Sequence, residues 1–214
     1  MRRRSPPRRA AAEADVIVVN HHLLLADLAV RRAAQNWDDA AVLPSYGRLV
    51  VDESFADPVP GLSLAAEAGR PGLIVLRSFG KFYGLAGLRL GFVLGHAADV
   101  AEFAGMLGPW PISGAAIEIG RRALADRDWA KATIARLTRE APRLDHLATE
   151  AGWTVVGGTP LFRLYETGDA RAVQAQLATA KIWSRVFQDR SGWLRLALPG
   201  SEAELARVSA ALAC

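Results

Sequence analysis

A chain of 214 residues, 51% hydrophobic and 22% charged, can bury the core of one domain or of two small ones. It contains no run of the roughly 20 apolar residues that a membrane helix requires, so no membrane partner is expected. The formal charge of +4 points to nucleic acid only until it is located: MRRRSPPRR holds five arginines, and the rest of the chain carries 21 basic and 22 acidic side chains. Residues 1–13 therefore read as a basic, Pro-containing disordered tail, and no nucleic-acid partner is expected. Cys214, the single cysteine, can form no intrachain disulfide, and the apolar run VIVV is too short for a signal peptide, so the expected location is cytoplasmic.

After the tail, DVIVV reads as a buried strand, LLLADLAVRRAA as a helix and GRLVVDES as a second strand ending in acid. This is the strand, crossover, strand unit that builds parallel sheets. PGLIVLRSF and LRLGFVLG are third and fourth apolar runs bounded by glycine or proline, and the four together predict an α/β sheet. From Gly114 the pattern turns helical as far as Gly152, with Pro142 expected to kink or divide the helix. WTVVGG, LFRLYE, IWSRVF and WLRLAL then read as strands interleaved with helices at DARAVQAQLATAK and SEAELARVSAALA. Residues 14–114 are read as one α/β domain and residues 115–214 as an α+β domain that includes the long connecting helix.

The chemistry concentrates in LRSFGKFYGLAGLRLGF. The chain has only three lysines, Lys81, Lys131 and Lys181, and this stretch places Lys81 among glycines and aromatics with Arg89 eight residues on. A lysine amine in a confined site can bond an aldehyde. Ser78 offers a hydroxyl and Arg89 a charged fork suited to a phosphate, so the stretch fits a phosphorylated aldehyde cofactor. The plain alternative is a loop with incidental polar groups. Asp52, 29 residues before Lys81, ends a buried strand, where ligands of open α/β sheets bind. There a carboxylate can pair with a protonated pyridine nitrogen or, alternatively, cap the following turn.

VVDESFADPVP, VLRSFGKFYGLAGLRLGFVLG and GPWPISGAAIEIGRRALAD, with VVGGTPLFRL and WLRLALPG further on, resemble the class I/II aminotransferase superfamily from about residue 47 onward. Within it they are most similar to the threonine-phosphate decarboxylase branch of cobalamin biosynthesis, close to the histidinol-phosphate aminotransferases. The resemblance implies a partial fold type I large domain, aspartate-aminotransferase-like, with an α+β C-terminal small domain. It implies pyridoxal 5'-phosphate as cofactor, with Lys81 bonding the aldehyde, Asp52 opposite the pyridine nitrogen, Ser78 and Arg89 on the phosphate, and Asn20 as the candidate for the ring oxygen. Arg195 would hold a substrate carboxylate and Arg185 the substrate phosphate. Phe55 stands where histidinol-phosphate aminotransferases usually carry tyrosine, which favours decarboxylation of threonine phosphate to aminopropanol phosphate over transamination. A homodimer is the family's expected state.

The first fifty residues differ. Residues 14–53 resemble the segment preceding the DEAH box in iron–sulfur, damage-inducible type superfamily 2 helicases, in which Asp52 and Glu53 would be ATPase acids. Against that activity, the chain has no G-x-x-x-x-G-K-[ST] loop, and DESF lacks the box's alanine and histidine. The expectation is a truncated or chimeric chain in which residues 14–50 are of foreign origin, joined at VVDE, with a catalytically silent fragment as the alternative. The adjacent His21 and His22 lack the spacing and companions of a zinc site, so no metal is expected. The scattered tryptophans read as core or interface anchors.

Overall fold

The computed structural model describes residues 48–213 and the backbone of residues 17–20. The basic tail, His21 and His22, the helix expected over residues 23–34 and Cys214 lie outside the described residues. The chain divides into two compact units, Met1–Ala125 and Asp126–Cys214.

The first unit is built on a four-stranded sheet in the order β1 (Ile17–Asn20), β2 (Leu49–Asp52), β3 (Leu73–Ser78), β4 (Gly91–Gly95). The apolar runs LVVD and LIVLRS bury Leu49, Val50, Val51, Ile74 and Val75. β1, β2 and β3 are parallel, with Asn20 opposite Asp52 and Asp52 opposite Leu76. β4 runs antiparallel to β3, pairing Ser78 with Gly91 and Arg77 with Phe92. A Cβ on Gly91 would come within 2.9 Å of the Arg77 carbonyl oxygen, so this pairing needs glycine there. Helices α1 (Ala97–Leu107) and α2 (Gly114–Ala125) complete the unit.

In the second unit α3 (Arg127–Glu150) precedes a sheet in the order β5 (Thr154–Thr159), β6 (Phe162–Glu166), β8 (Arg190–Ala197), β7 (Arg185–Phe187). α4 (Ala170–Thr179) and α5 (Glu202–Leu212) pack with it. Leu137, Ala141, Leu144 and Ala148 recur at helical spacing on α3; Leu144 and Ala148 meet Tyr165, Leu177, Leu194 and Val208 in the core. Asp126, Asp169 and Ser201 cap the three helices by accepting backbone N–H bonds.

Two details depart from the sequence reading. α3 runs through Pro142, and the helical stretch divides instead at Asp126. Pro142 is exposed, so water can replace the partner of the carbonyl it leaves without a donor, whereas Asp126 supplies an N-cap that starts a new helix. α2 consequently belongs with the first unit, and the units meet after Ala125 rather than at residue 114.

Gly158 meets the closest backbone atom of the glycines in the second unit. Its φ is +142°, and a Cβ there would lie 2.4 Å from the Phe162 carbonyl oxygen. Gly158→Ala is expected to destabilise the unit by about 2 kcal/mol or more, read as a lowered chemical-denaturation midpoint; an unchanged midpoint would show that the β5–β6 hairpin tolerates a side chain.

Candidate active site

Strand direction brings the candidate residues of the first unit to one edge of its sheet. Asn20, Asp52 and Ser78 are the last residues of the three parallel strands, and Asn20 and Asp52 are paired in the ladder. Lys81 follows Ser78 by three residues, and Arg89 precedes antiparallel β4 by two, so both lie in the β3–β4 connection at that edge. The C-terminal edge of parallel strands is where open α/β sheets bind ligands.

The local chemistry is specific. Asp52 is half-buried, and its Oδ1 accepts bonds from the Ser54 N–H at 2.9 Å and the Ser54 hydroxyl, so the carboxylate does cap the following turn. One oxygen suffices for the cap; among the described residues Oδ2 has no hydrogen-bond partner and is left for a ligand. The exposed Lys81 ammonium lies 5.5 Å from the centroid of the Phe55 ring, which joins the connection to the turn after Asp52. Ser78 Oγ accepts from the Gly80 N–H at 3.1 Å, which leaves its proton available to a ligand oxygen. Arg89 adopts a left-handed backbone, with φ +52° and ψ +37°, and among the described residues its exposed guanidinium makes one hydrogen bond, to the Ala86 carbonyl oxygen at 3.4 Å.

The aromatic residues around Lys81 pack. Phe79 and Phe82 are buried, and Tyr83 stacks on Phe79 with ring centroids 4.5 Å apart. An apolar groove of about 630 Å³ between Phe92, Trp110, Ile117 and Leu124 has Arg121 as its one charged lining residue among the described residues. Arg121 is paired with Glu118, so the groove offers shape but little chemistry.

In the second unit Arg185 and Arg195 lie directly opposite each other on β7 and β8. Each guanidinium lies near a ring, Arg185 at 5.3 Å from Phe187 and Arg195 at 4.7 Å from Phe162, and among the described residues neither has an acidic partner. Burial, with the like charge of Arg185, pulls the Arg195 pKa below the ordinary arginine value. Two uncompensated cations side by side on paired strands destabilise a sheet and attract an anion.

The profile of the aminotransferase class I and II family matches residues 35–212. The chain belongs to that family. The aminotransferase match starts upstream of β2 and runs through both units. The chain is 45% identical to a threonine-phosphate decarboxylase of Pseudomonas aeruginosa over 166 residues, which is 78% of this chain and 50% of the relative. It is 45% identical to a second threonine-phosphate decarboxylase, from a Sinorhizobium species, over 79% of this chain and 50% of the relative. A crystal structure of histidinol-phosphate aminotransferase from Sinorhizobium meliloti in complex with pyridoxal-5'-phosphate superposes with a TM-score of 0.74 at 22% identity, over 93% of this chain and 56% of that one. The fold is therefore that of pyridoxal-phosphate fold type I enzymes. The chain spans about half the length of the curated relatives it matches.

A charged network behind the aminotransferase edge was not anticipated. Glu53 is 0% exposed, and its carboxylate accepts from the Ser63 hydroxyl at 2.6 Å, the Leu64 N–H at 2.6 Å and Arg77 at 3.3 Å. Arg77 also donates to Ser63 Oγ at 3.1 Å and pairs with Asp57. An ATPase acid must present an oxygen to water, whereas both Glu53 oxygens are engaged here. The signal was present in the sequence as charges closing the apolar runs LVVDE and LIVLRS, where a buried charge requires a partner.

Burial pushes the Asp57 carboxyl above its ordinary value despite Arg77, with the Glu53 charge adding to the rise. Burial and the Asp57 charge likewise raise the Tyr83 phenol. A carboxyl with a raised folded-state pKa adds stability that is complete below its unfolded pKa and lost as pH rises through the folded one. Between about pH 4 and about pH 7, the thermal midpoint is therefore expected to change less favourably with rising pH in wild type than in Asp57→Asn; parallel curves would contradict the raised pKa.

Proposed function

We propose that this chain is a pyridoxal-phosphate-dependent decarboxylase acting on L-threonine O-3-phosphate and releasing aminopropanol phosphate, a step of cobalamin biosynthesis. The observation that carries the reading is the meeting of Asp52, Ser78, Lys81 and Arg89 at one sheet edge in a chain 45% identical to threonine-phosphate decarboxylases. These groups fit the cofactor: an amine for its aldehyde, a free carboxylate oxygen for its ring N–H, and a hydroxyl with a guanidinium for its phosphate. When bound, pyridoxal phosphate supplies an electron-accepting ring conjugated with the substrate amine.

The protein's own part is to hold and to move protons. Asp52 would accept the ring N–H and keep the positive charge on that nitrogen. Ser78 and Arg89 grip the phosphate dianion. Lys81 Nζ would hold the cofactor aldehyde, give it up to the substrate amine, and donate a proton to the α-carbon once carbon dioxide has left and its bonding electrons have passed to the ring. Arg195 and Arg185 take the two anions of the substrate, carboxylate and phosphate, and the Arg195 contact aligns the bond to be broken. Asn20 is the candidate for the ring oxygen. The same reading places the protein in the cytoplasm as a homodimer; among the described residues no helix is long and apolar enough to cross a membrane.

Transamination of a similar phosphorylated amino acid is the second reading, favoured by the likeness to histidinol-phosphate aminotransferase. Phe55 under the Lys81 ammonium favours decarboxylation, since a ring without a hydroxyl gives the cofactor oxygen no donor at this position.

Borohydride treatment of the protein mixed with pyridoxal phosphate is expected to fix the cofactor on Lys81, located by peptide mass spectrometry and absent in Lys81→Ala. Carbon dioxide release from threonine phosphate is the expected activity; keto-acid formation in its place would select transamination, and no label would mean a silent fragment. Where turnover is measured, Arg195→Gln is expected to lower kcat/KM for threonine phosphate by about 100-fold, the effect of losing a buried charged contact. An unchanged value would remove Arg195 from substrate binding.

A further inference from the structure

We infer that Glu53, Arg77 and Ser63 form a clamp whose role is to position the cofactor site without touching the cofactor; this rests on the pyridoxal-phosphate reading above. Side chains alternate faces along a strand. Asp52 is paired with Leu76 in the β2–β3 ladder, so Asp52, Leu76 and Ser78 share one face. The Glu53 N–H continues that ladder by donating to the Leu76 carbonyl oxygen at 2.9 Å, which puts Glu53 and Arg77 on the opposite face. The neighbours of the two site residues are thus joined behind the sheet: Glu53 follows Asp52, Arg77 precedes Ser78, and Arg77 bonds Glu53 at 3.3 Å.

Ser63 closes the clamp. Its hydroxyl donates to Glu53 and accepts from Arg77, and the Leu64 N–H donates to the other Glu53 oxygen, so the turn after β2 is tied to the strand that carries Ser78. Arg77 reaches further, to Asp57, whose charge is felt by Tyr83 in the turn that holds Lys81. Acid and hydroxyl are therefore referenced to one ion pair whose carboxylate is fully buried. A cofactor held by three separated groups binds tightly only where their spacing is set beforehand.

The test uses the full chain and pyridoxal phosphate, with cofactor affinity measured by absorbance titration well below the melting midpoint. Glu53→Gln keeps the shape and removes the charge; Ser63→Ala removes only the hydroxyl bridge and serves should Glu53→Gln fail to fold. Both are expected to weaken pyridoxal-phosphate binding by about tenfold, the scale on which supporting contacts act at metal sites, and to shift the absorption band of the bound cofactor. Gly158→Ala, in the other unit, is the control: it lowers the midpoint and leaves affinity and spectrum unchanged. Folded clamp variants that bind with wild-type affinity and spectrum would overturn the positioning role while leaving the functional reading intact. Wild type that binds no pyridoxal phosphate would overturn the reading itself and the clamp with it.

Discussion

The register between β2 and β3, with Asp52 beside Leu76, is the constraint on which the site depends. A parallel ladder can slip, and a slip of one residue turns every side chain to the opposite face. Here the hazard is specific, because two acids stand in succession. A slip would carry Asp52 behind the sheet and turn Glu53 toward the ligand edge, an exchange that composition alone would not resist. The apolar pattern of LVVD resists it weakly, since both faces of a parallel strand are covered and its residues are apolar on each. Glu53 resists it strongly: three donors meet its carboxylate only in the observed register, and a buried carboxylate without them is costly.

The second unit solves a different electrostatic problem. Its sheet tolerates Arg185 opposite Arg195 by laying each guanidinium near an aromatic ring instead of against an acid. Elsewhere in the same unit an arginine on a strand is neutralised: Arg163 forms a two-pronged bond with Asp145, at 2.9 and 2.7 Å, and Tyr165 donates to the same carboxylate. The contrast separates an arginine that holds the fold from arginines held ready for something else. Ring contacts stabilise a cation and leave its N–H donors free, which a carboxylate does not.

Much of this was legible in the sequence. The apolar runs ending in Asp52 and Ser78 became adjacent strands, the last hundred residues became helices and strands in the expected order, and the residues quoted around Lys81 carried the family resemblance that the comparisons confirm. What was not legible involves partners distant along the chain or choices between equal local patterns. The antiparallel course of β4 depends on a connection that turns back at Arg89, and apolar runs look alike in either direction. Pro142 reads as a breaker in any window, yet on the exposed side of a long helix its missing N–H costs little, while Asp126 decides the break by capping. The Glu53–Arg77 pair spans 24 residues and was visible only as two charges in need of company.

Arg89 shows where the protein departs from its own stability optimum. A left-handed conformation at a residue with a Cβ costs about 1 to 2 kcal/mol, and glycine would hold the same turn without that cost. The adjoining stretch uses glycine freely, so on the proposed reading the arginine is kept for its guanidinium at the expense of the backbone. Selection for thermal tolerance alone, in the laboratory or in a lineage that no longer uses the activity, would replace it early. A glycine at this position in a descendant would be a mark of lost function that no comparison of overall fold could register.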